Sequence, residues 1–504
     1  MMMIRELEQK TSGSGAPVAM PAPVPMSAPT PGQPLARGHR LLLVQLNEVC
    51  FRTAGRYIDR LGLRHFERLL NGHCITTSAE KTYDELEPWI QWQSVYTGLD
   101  AAGHGITRLG DAVGHSVPQI FEQLEAHGLR VGCVAALNAD NRMHAPTYFV
   151  PDPWTATPSD GSFWSRALGQ AVAQMVNDNA HGRTTLRSLV TLAAGVLRFA
   201  RPCHYTTYLR LAATARGAPW RKALFLDLLL HDMHWQLFRD RGADFSSVFF
   251  NAGAHIQHHY FRNAKAVSVD GPRNPAHYVS PDADPVAEML QFYDRLLGEL
   301  QSLPDTEIIT ATGLSQVPYP STKYYWRLRD HGRFLAELGV TVRQVSPRMS
   351  RDFLVICDSV QAAASATEKL RALTVMPSGK RLFGVIDNRG DSLFVTLTFP
   401  DEITVDHRVL GSDSGQPIAL APKVSLVALK NGMHRGEGHA AFSKGIVAIA
   451  PAGGSHVKAL HQAIRSFFGM PGLAVLESQG ECNTAVAAQA SPAARNSAVE
   501  PAHA

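Results

Sequence analysis

Four short apolar runs, at residues 41–46, 130–136, 246–250 and 307–310, constrain this chain more than any other feature. The first, at 41–46, is continuous enough to predict a strand buried on both sides, as in a parallel sheet; 246–250 reads as another buried strand, and 130–136 and 307–310 as further strands. Between them lie stretches with helical spacing, such as 51–71, where Tyr57, Leu61, Phe66, Leu69 and Leu70 recur at three- and four-residue intervals. A second helix is expected over 117–127, ending at Gly128, and a last strand over 445–449 before a helix at 457–468. Strand–helix–strand alternation of this kind predicts an α/β fold with a doubly wound, mainly parallel sheet. Such sheets bind ligands outside the carboxyl ends of their strands, so the polar residues found there are the first to weigh.

Composition narrows the reading. Hydrophobic residues make up 45% and charged ones 18% of the 504 residues, enough apolar material for a large core. The net charge of +4 is small and the Lys and Arg are scattered, which gives no case for nucleic acid. Six cysteines without a CxxC pair predict reduced, buried thiols. No secretory leader is visible at the N-terminus, and the apolar windows near 188–199 and 222–230 are too short to span a bilayer. A cytoplasmic protein is the expectation.

The expected organisation is a disordered leader at 1–39 and a first part of the core at 40–150, then a helical cap at 151–244. A second core part at 245–349, a small α+β insertion at 350–415, a last core part at 416–479 and a disordered tail at 480–504 complete it. The insertion is marked by a strand at 352–357, a helix at 360–373 and two strands paired across the turn-like 388–391.

Two motifs bear on chemistry. Thr97-Gly98-Leu99, followed by His104-Gly105-Ile106, resembles a signature of the alkaline phosphatase superfamily, nearest its type I phosphodiesterase/nucleotide pyrophosphatase branch. His434, followed by Gly438, resembles the closing pattern of the same family. The resemblance covers about 40–110, 246–314 and 432–468. It implies an alkaline phosphatase-like fold and a divalent metal centre, usually binuclear zinc, at the carboxyl edge of the sheet. Two metals there would clamp the attacking and leaving oxygens of a phosphoryl group.

Position by position, the family's first aspartate is Asn47 here, with Glu48 next to it; either could ligate a metal, and either could simply cap the following helix. The Asp-x-x-x-His pair is His255 and His259, with His258 between them. Four residues apart on a helix, the first two would share a face and could share an ion. The Asp-His-Gly position reads Thr312-Gly313, which removes two ligands, while a literal Asp330-His331-Gly332 sits in an amphipathic segment outside the site. The expected centre is therefore at most mononuclear, held by His255, His259 and His434 with Asn47 or Glu48.

The family's catalytic threonine falls on Pro88, which has no hydroxyl, so the neighbouring carboxylate of Glu87 is the candidate base or nucleophile. Trp89 and Trp92, three residues apart, could wall a substrate or pack in a core, and Thr312 and His258 are further candidate substrate contacts. Two functional readings follow. One is a zinc-dependent hydrolase or transferase of small phosphate- or sulfate-ester substrates with a remodelled site. The other is a catalytically inactive family member serving as a binding or scaffolding protein.

Overall fold

A computed structural model describes residues 39–178, 185–267, 273–348, 351–411 and 415–471; the expected leader and tail lie outside them, apart from His39. The apolar run of β1 (Arg40–Leu46) is buried on both faces along nearly its whole length and forms the middle of a seven-stranded sheet. With β2 (His73–Ser78), β3 (Val131–Val134), β4 (Tyr148–Val150), β5 (Phe245–Phe250), β6 (Thr306–Ala311) and β7 (Glu437–Phe442), the order is β2-β7-β6-β1-β5-β3-β4. β1 pairs in parallel with β5 and β6, and β3 pairs in parallel with β5 and β4. Only β7 runs antiparallel, wedged between β2 and β6. The sheet is thus mainly parallel and doubly wound, as its apolar runs predict.

Around it packs one large core, in which the fully buried Trp92, Tyr96, Phe121, Phe245 and Phe249 contribute aromatic contacts. Four helices, Phe163–Asp178, Leu186–Phe199, Tyr205–Thr214 and Arg221–Arg241, precede β5. A second apolar core runs from Trp326 to Val424, where the helix Val360–Ala372 covers antiparallel strands that include Asp352–Ile356 and Ser392–Leu397. It is joined to the main body by a long two-stranded antiparallel ribbon, Ser315–Leu328 with Val424–Arg435.

Three local expectations are corrected. Residues 445–449 belong to a 3-10 helix, Lys444–Ile449, and the final strand is β7 instead. A five-residue apolar run fits either state. The helix expected over 51–71 is broken into Phe51–Gly55, Ile58–Leu61 and Arg64–Asn71, with Gly62 at a left-handed φ of 65° between the last two. β2 and β4 were not expected: β2 is only partly buried and β4 is three residues long.

Candidate metal centre

The chain leaves β1 through Asn47 and Glu48, and Glu48 adopts a left-handed φ of 59°. A residue with a side chain in that region is strained by about 1–3 kcal/mol and persists where its surroundings over-determine it. Here they do. The Glu48 N–H donates to the Thr312 carbonyl at 3.0 Å, and the Gln257 amide donates to the Glu48 carbonyl at 2.7 Å. The bend aims the buried carboxylate at two imidazoles. Glu48 Oε2 lies 3.1 Å from His258 Nε2 and 3.0 Å from His434 Nε2, and those two nitrogens are 3.2 Å apart.

Each imidazole is set by its own element. His258 sits on the helix Ala252–Tyr260, which follows directly from β5. No side chain of that helix caps its start; the buried Asp227 accepts from the Ala252 and Asn251 N–H groups at 2.9 and 3.3 Å and from the Tyr293 hydroxyl at 2.7 Å. Burial lifts the Asp227 carboxyl to about 6. Gly253 lets the helix close on Val49, since a Cβ there would come within 2.4 Å of Val49 Cγ2. His434 lies on the ribbon opposite Gln316, whose amide donates to Glu48 Oε2 at 2.6 Å and to the Ala254 carbonyl at 3.1 Å.

The donor set suits a divalent ion. Ligands of a tetrahedral zinc, with bonds near 2.0–2.2 Å, stand about 3.3 Å from one another. The three atoms here are 3.0–3.2 Å apart. Both Nδ1 atoms also face outward to acceptors, as metal-bound imidazoles do. That of His258 is 3.4 Å from the Gly432 carbonyl, and that of His434 is 3.7 Å from Glu87 Oε2. The charges agree: burial alone would raise the Glu48 carboxyl, but His434 and His258 hold it well below its ordinary value. Burial opposes protonation of His434, yet Glu48 and Glu87 raise it above the usual imidazole value. Among the described residues, one other group of three potential ligands exists, Cys203, His204 and Glu299, on the helices preceding β5 and following it.

Glu87 is the N-cap of the helix Pro88–Thr97, extended at φ −108° and ψ 136° as a residue before proline should be. Its side chain does not cap that helix and lies against His434. Burial pushes it up to about 7, offset in part by His434, although a third of the side chain still meets solvent. The Thr97–Ile106 motif places this helix. Gly98 ends it at φ 77°, and the buried His104 ties back to Ser94 at 3.2 Å and accepts from the Ile106 N–H at 3.0 Å. Burial holds His104 down to about 4, hence neutral.

The expected ligands divide. Glu48 and His434 converge, and His258 joins them in place of His255 and His259. Those two rings pair with each other at 4.5 Å outside the close group of Glu48, His258 and His434, and burial pushes His255 down to about 4 and His259 well below its ordinary value. Asn47 is consumed: its amide donates to Asn251 at 2.9 Å and its oxygen accepts from Trp92 Nε1 at 2.9 Å. Trp92 is fully buried, so it cannot wall a substrate, and Trp89 donates to the Thr107 carbonyl at 3.1 Å while packing against the main core. Thr312, fully buried, bonds β7 through the His439 N–H at 2.9 Å rather than facing a ligand. Asp330 caps the helix His331–Glu337, next to the second core.

Sequence reasoning missed Gln316 and Lys430. Lys430 lies four residues before His434 on the same strand, its ammonium 5.4 and 5.9 Å from the Tyr319 and Tyr325 ring centres. Burial lowers its pKa, while Glu87 and Glu48 are near enough to oppose that. The available signal was its place on the strand that carries the closing histidine.

No protein-family model matches this sequence, and no curated protein does. Among solved structures, the chain is similar to a phosphonoacetate hydrolase from Sinorhizobium meliloti 1021, with 15% identity over 86% of this chain and 98% of that one and a TM-score of 0.38. It is also similar to murine ectonucleotide pyrophosphatase/phosphodiesterase 5, at 10% identity, 86% and 96% coverage and a TM-score of 0.37. The alkaline phosphatase PafA shows 12% identity, 87% and 97% coverage and a TM-score of 0.43.

Proposed function

We propose that this protein is a hydrolase or transferase of small phosphate- or sulfate-ester substrates, using one divalent ion, zinc, held by Glu48, His258 and His434. The observation that carries the reading is the mutual 3.0–3.2 Å spacing of Glu48 Oε2, His258 Nε2 and His434 Nε2 at the carboxyl end of β1. Two imidazoles and one carboxylate make a donor set suited to zinc and leave a fourth position open. When bound, such an ion supplies Lewis acidity and positive charge at an ester oxygen.

The chain's own residues supply the rest. Glu87, raised to about 7, is matched to taking a proton from an attacking water or alcohol near neutral pH. Lys430, part-buried among tyrosine rings, is placed to hold an anionic ester group beside it. Gln316 and Asn47 fix the Glu48 carboxylate through hydrogen bonds at 2.6 and 3.2 Å. A non-catalytic binding role is the second reading, favoured by Pro88, which puts no hydroxyl beside Glu87.

Metal analysis of protein purified without chelator tests the centre. One ion per chain is expected in the wild type and in the His255→Ala/His259→Ala variant, and none in His258→Ala or His434→Ala. Two ions per chain, or none after zinc addition, would sink it. One retained ion without turnover of nitrophenyl phosphate or sulfate esters would support the binding role instead.

A further inference from the structure

The helix Leu186–Phe199 is apolar on two faces. One face, with Leu192, Gly195 and Phe199, is buried; Gly195 sits so close to the helix Phe163–Asp178 that a Cβ would fall 2.5 Å from a Leu168 methyl. The other face carries Leu186, Leu189, Val190 and Leu197, spaced by three, one and seven residues and so aligned along one side of the helix. All four are open to solvent, Leu186 by 77% and Leu197 by 87%. Phe163, 64% exposed, adds to the Phe199 end, since its neighbour Trp164 packs edge-on against Phe199. Scattered exposed leucines need no explanation, but an aligned row on a helix that already buries its other face does.

Charge indicates what covers it. Residues 161–226 contain nine Arg and Lys and a single acid, Asp178. Arg201, Arg210 and Arg221 are taken up by Glu299 and Glu288 of the helix Pro285–Leu300. Arg187 and Arg198 flank the apolar row and have no carboxylate partner among the described residues; Arg198 bonds the neutral Gln236 at 2.7 Å. A second copy docked face to face would bring these arginines together with no acid on the helix to meet them. No described helix is long and apolar enough to cross a membrane, so a lipid partner would be met at its surface.

We propose that the Leu186–Phe199 helix docks on the headgroup region of an anionic lipid bilayer, its leucines entering the acyl boundary and Arg187 and Arg198 meeting lipid phosphates. This is the arrangement of an interfacial amphipathic helix, in which long basic side chains reach back to the charged layer.

Flotation of the full-length chain with vesicles tests it, using phosphatidylcholine alone or mixed with phosphatidylglycerol. Binding is expected on the mixed vesicles, weakened by salt, and reduced at least ~10-fold by Leu189→Glu/Leu197→Glu. Circular dichroism and melting of that variant should match the wild type, because both side chains are exposed. Equal binding to phosphatidylcholine alone would overturn the anionic assignment. Unchanged binding by the variant would overturn the face. Failure to bind either vesicle, with a dimer that the variant dissociates, would show instead that copies of the chain meet there.

Discussion

Gly432→Ala offers a sharp test of how the centre is built, because the consequence can be worked from distances alone. Gly432 lies on the ribbon beside a register shift, and a Cβ added there would come 2.0 Å from Gln316 Oε1 and 2.8 Å from the Gln257 carbonyl. The carbonyl belongs to the backbone of the His258 helix and cannot swing away. The Gln316 amide would have to turn, giving up its bonds to Glu48 at 2.6 Å and Ala254 at 3.1 Å. Overpacking costs about 1–3 kcal/mol, and a stranded partner of a buried charge about 1–3 kcal/mol more. At roughly 2 °C per kcal/mol for a chain of this size, the melting temperature should fall by about 4–12 °C. Zinc affinity, read by competition with a chromophoric chelator, should drop about 10–100-fold, as when an outer partner of a ligand is lost. Gln316→Ala alone should incur the second cost and not the first. Gly432→Ala/Gln316→Ala should then be less destabilised than the sum of the singles, by about 1–3 kcal/mol. If Gly432→Ala melts like wild type, or the double variant is strictly additive, the close approach is not what this position requires.

Two further outcomes are expected. Glu87→Gln should leave melting nearly unchanged and cut turnover of a nitrophenyl ester at least ~10²-fold; wild-type rate should climb as pH rises through about 7, where Glu87 loses its proton. Equal rates for the two proteins would make Glu87 structural. His204, held by Asp232 at 2.6 Å and Glu299 at 2.8 Å, is lifted to about 9 against the burial that opposes its charge. Its stabilising contribution is therefore fully present below about 6.5 and lost as pH rises through about 9, so melting of the wild type should fall more steeply over that interval than melting of His204→Gln. Parallel curves would contradict the assignment.

The parallel strands were legible because burial on both faces leaves continuous apolar runs, and β1, β3, β5 and β6 all carry one. β7, with the sequence EGHAAF, was overlooked because small residues pack well in a crowded antiparallel slot but carry little apolar signal. At the centre, Glu48 and His434 could be placed from their neighbours. His258 could not be told from His255 and His259, since helix spacing sets all three as neighbours and only the tertiary packing decides which ring meets Glu48 and His434. Asn47 was lost to the site for a similar reason: its partner, Trp92, is distant in sequence and only the fold brings them together.

The position of β7 between β2 and β6 has a consequence for how the chain is made. Until residues 437–442 leave the ribosome, β2 and β6 each present an unpaired edge, and the sheet has a gap one strand wide. His434 arrives in the same late segment, so no nascent or truncated chain ending before it can hold an ion through all three ligands. Contacts spanning nearly the full length make for slow folding, and open strand edges invite wrong pairing while they wait. Residues 437–442 therefore seal the sheet just after His434 supplies the last of the three donors, and truncation before His434 should abolish both solubility and the proposed metal retention, whereas truncation just after Arg435 should cost the sheet alone.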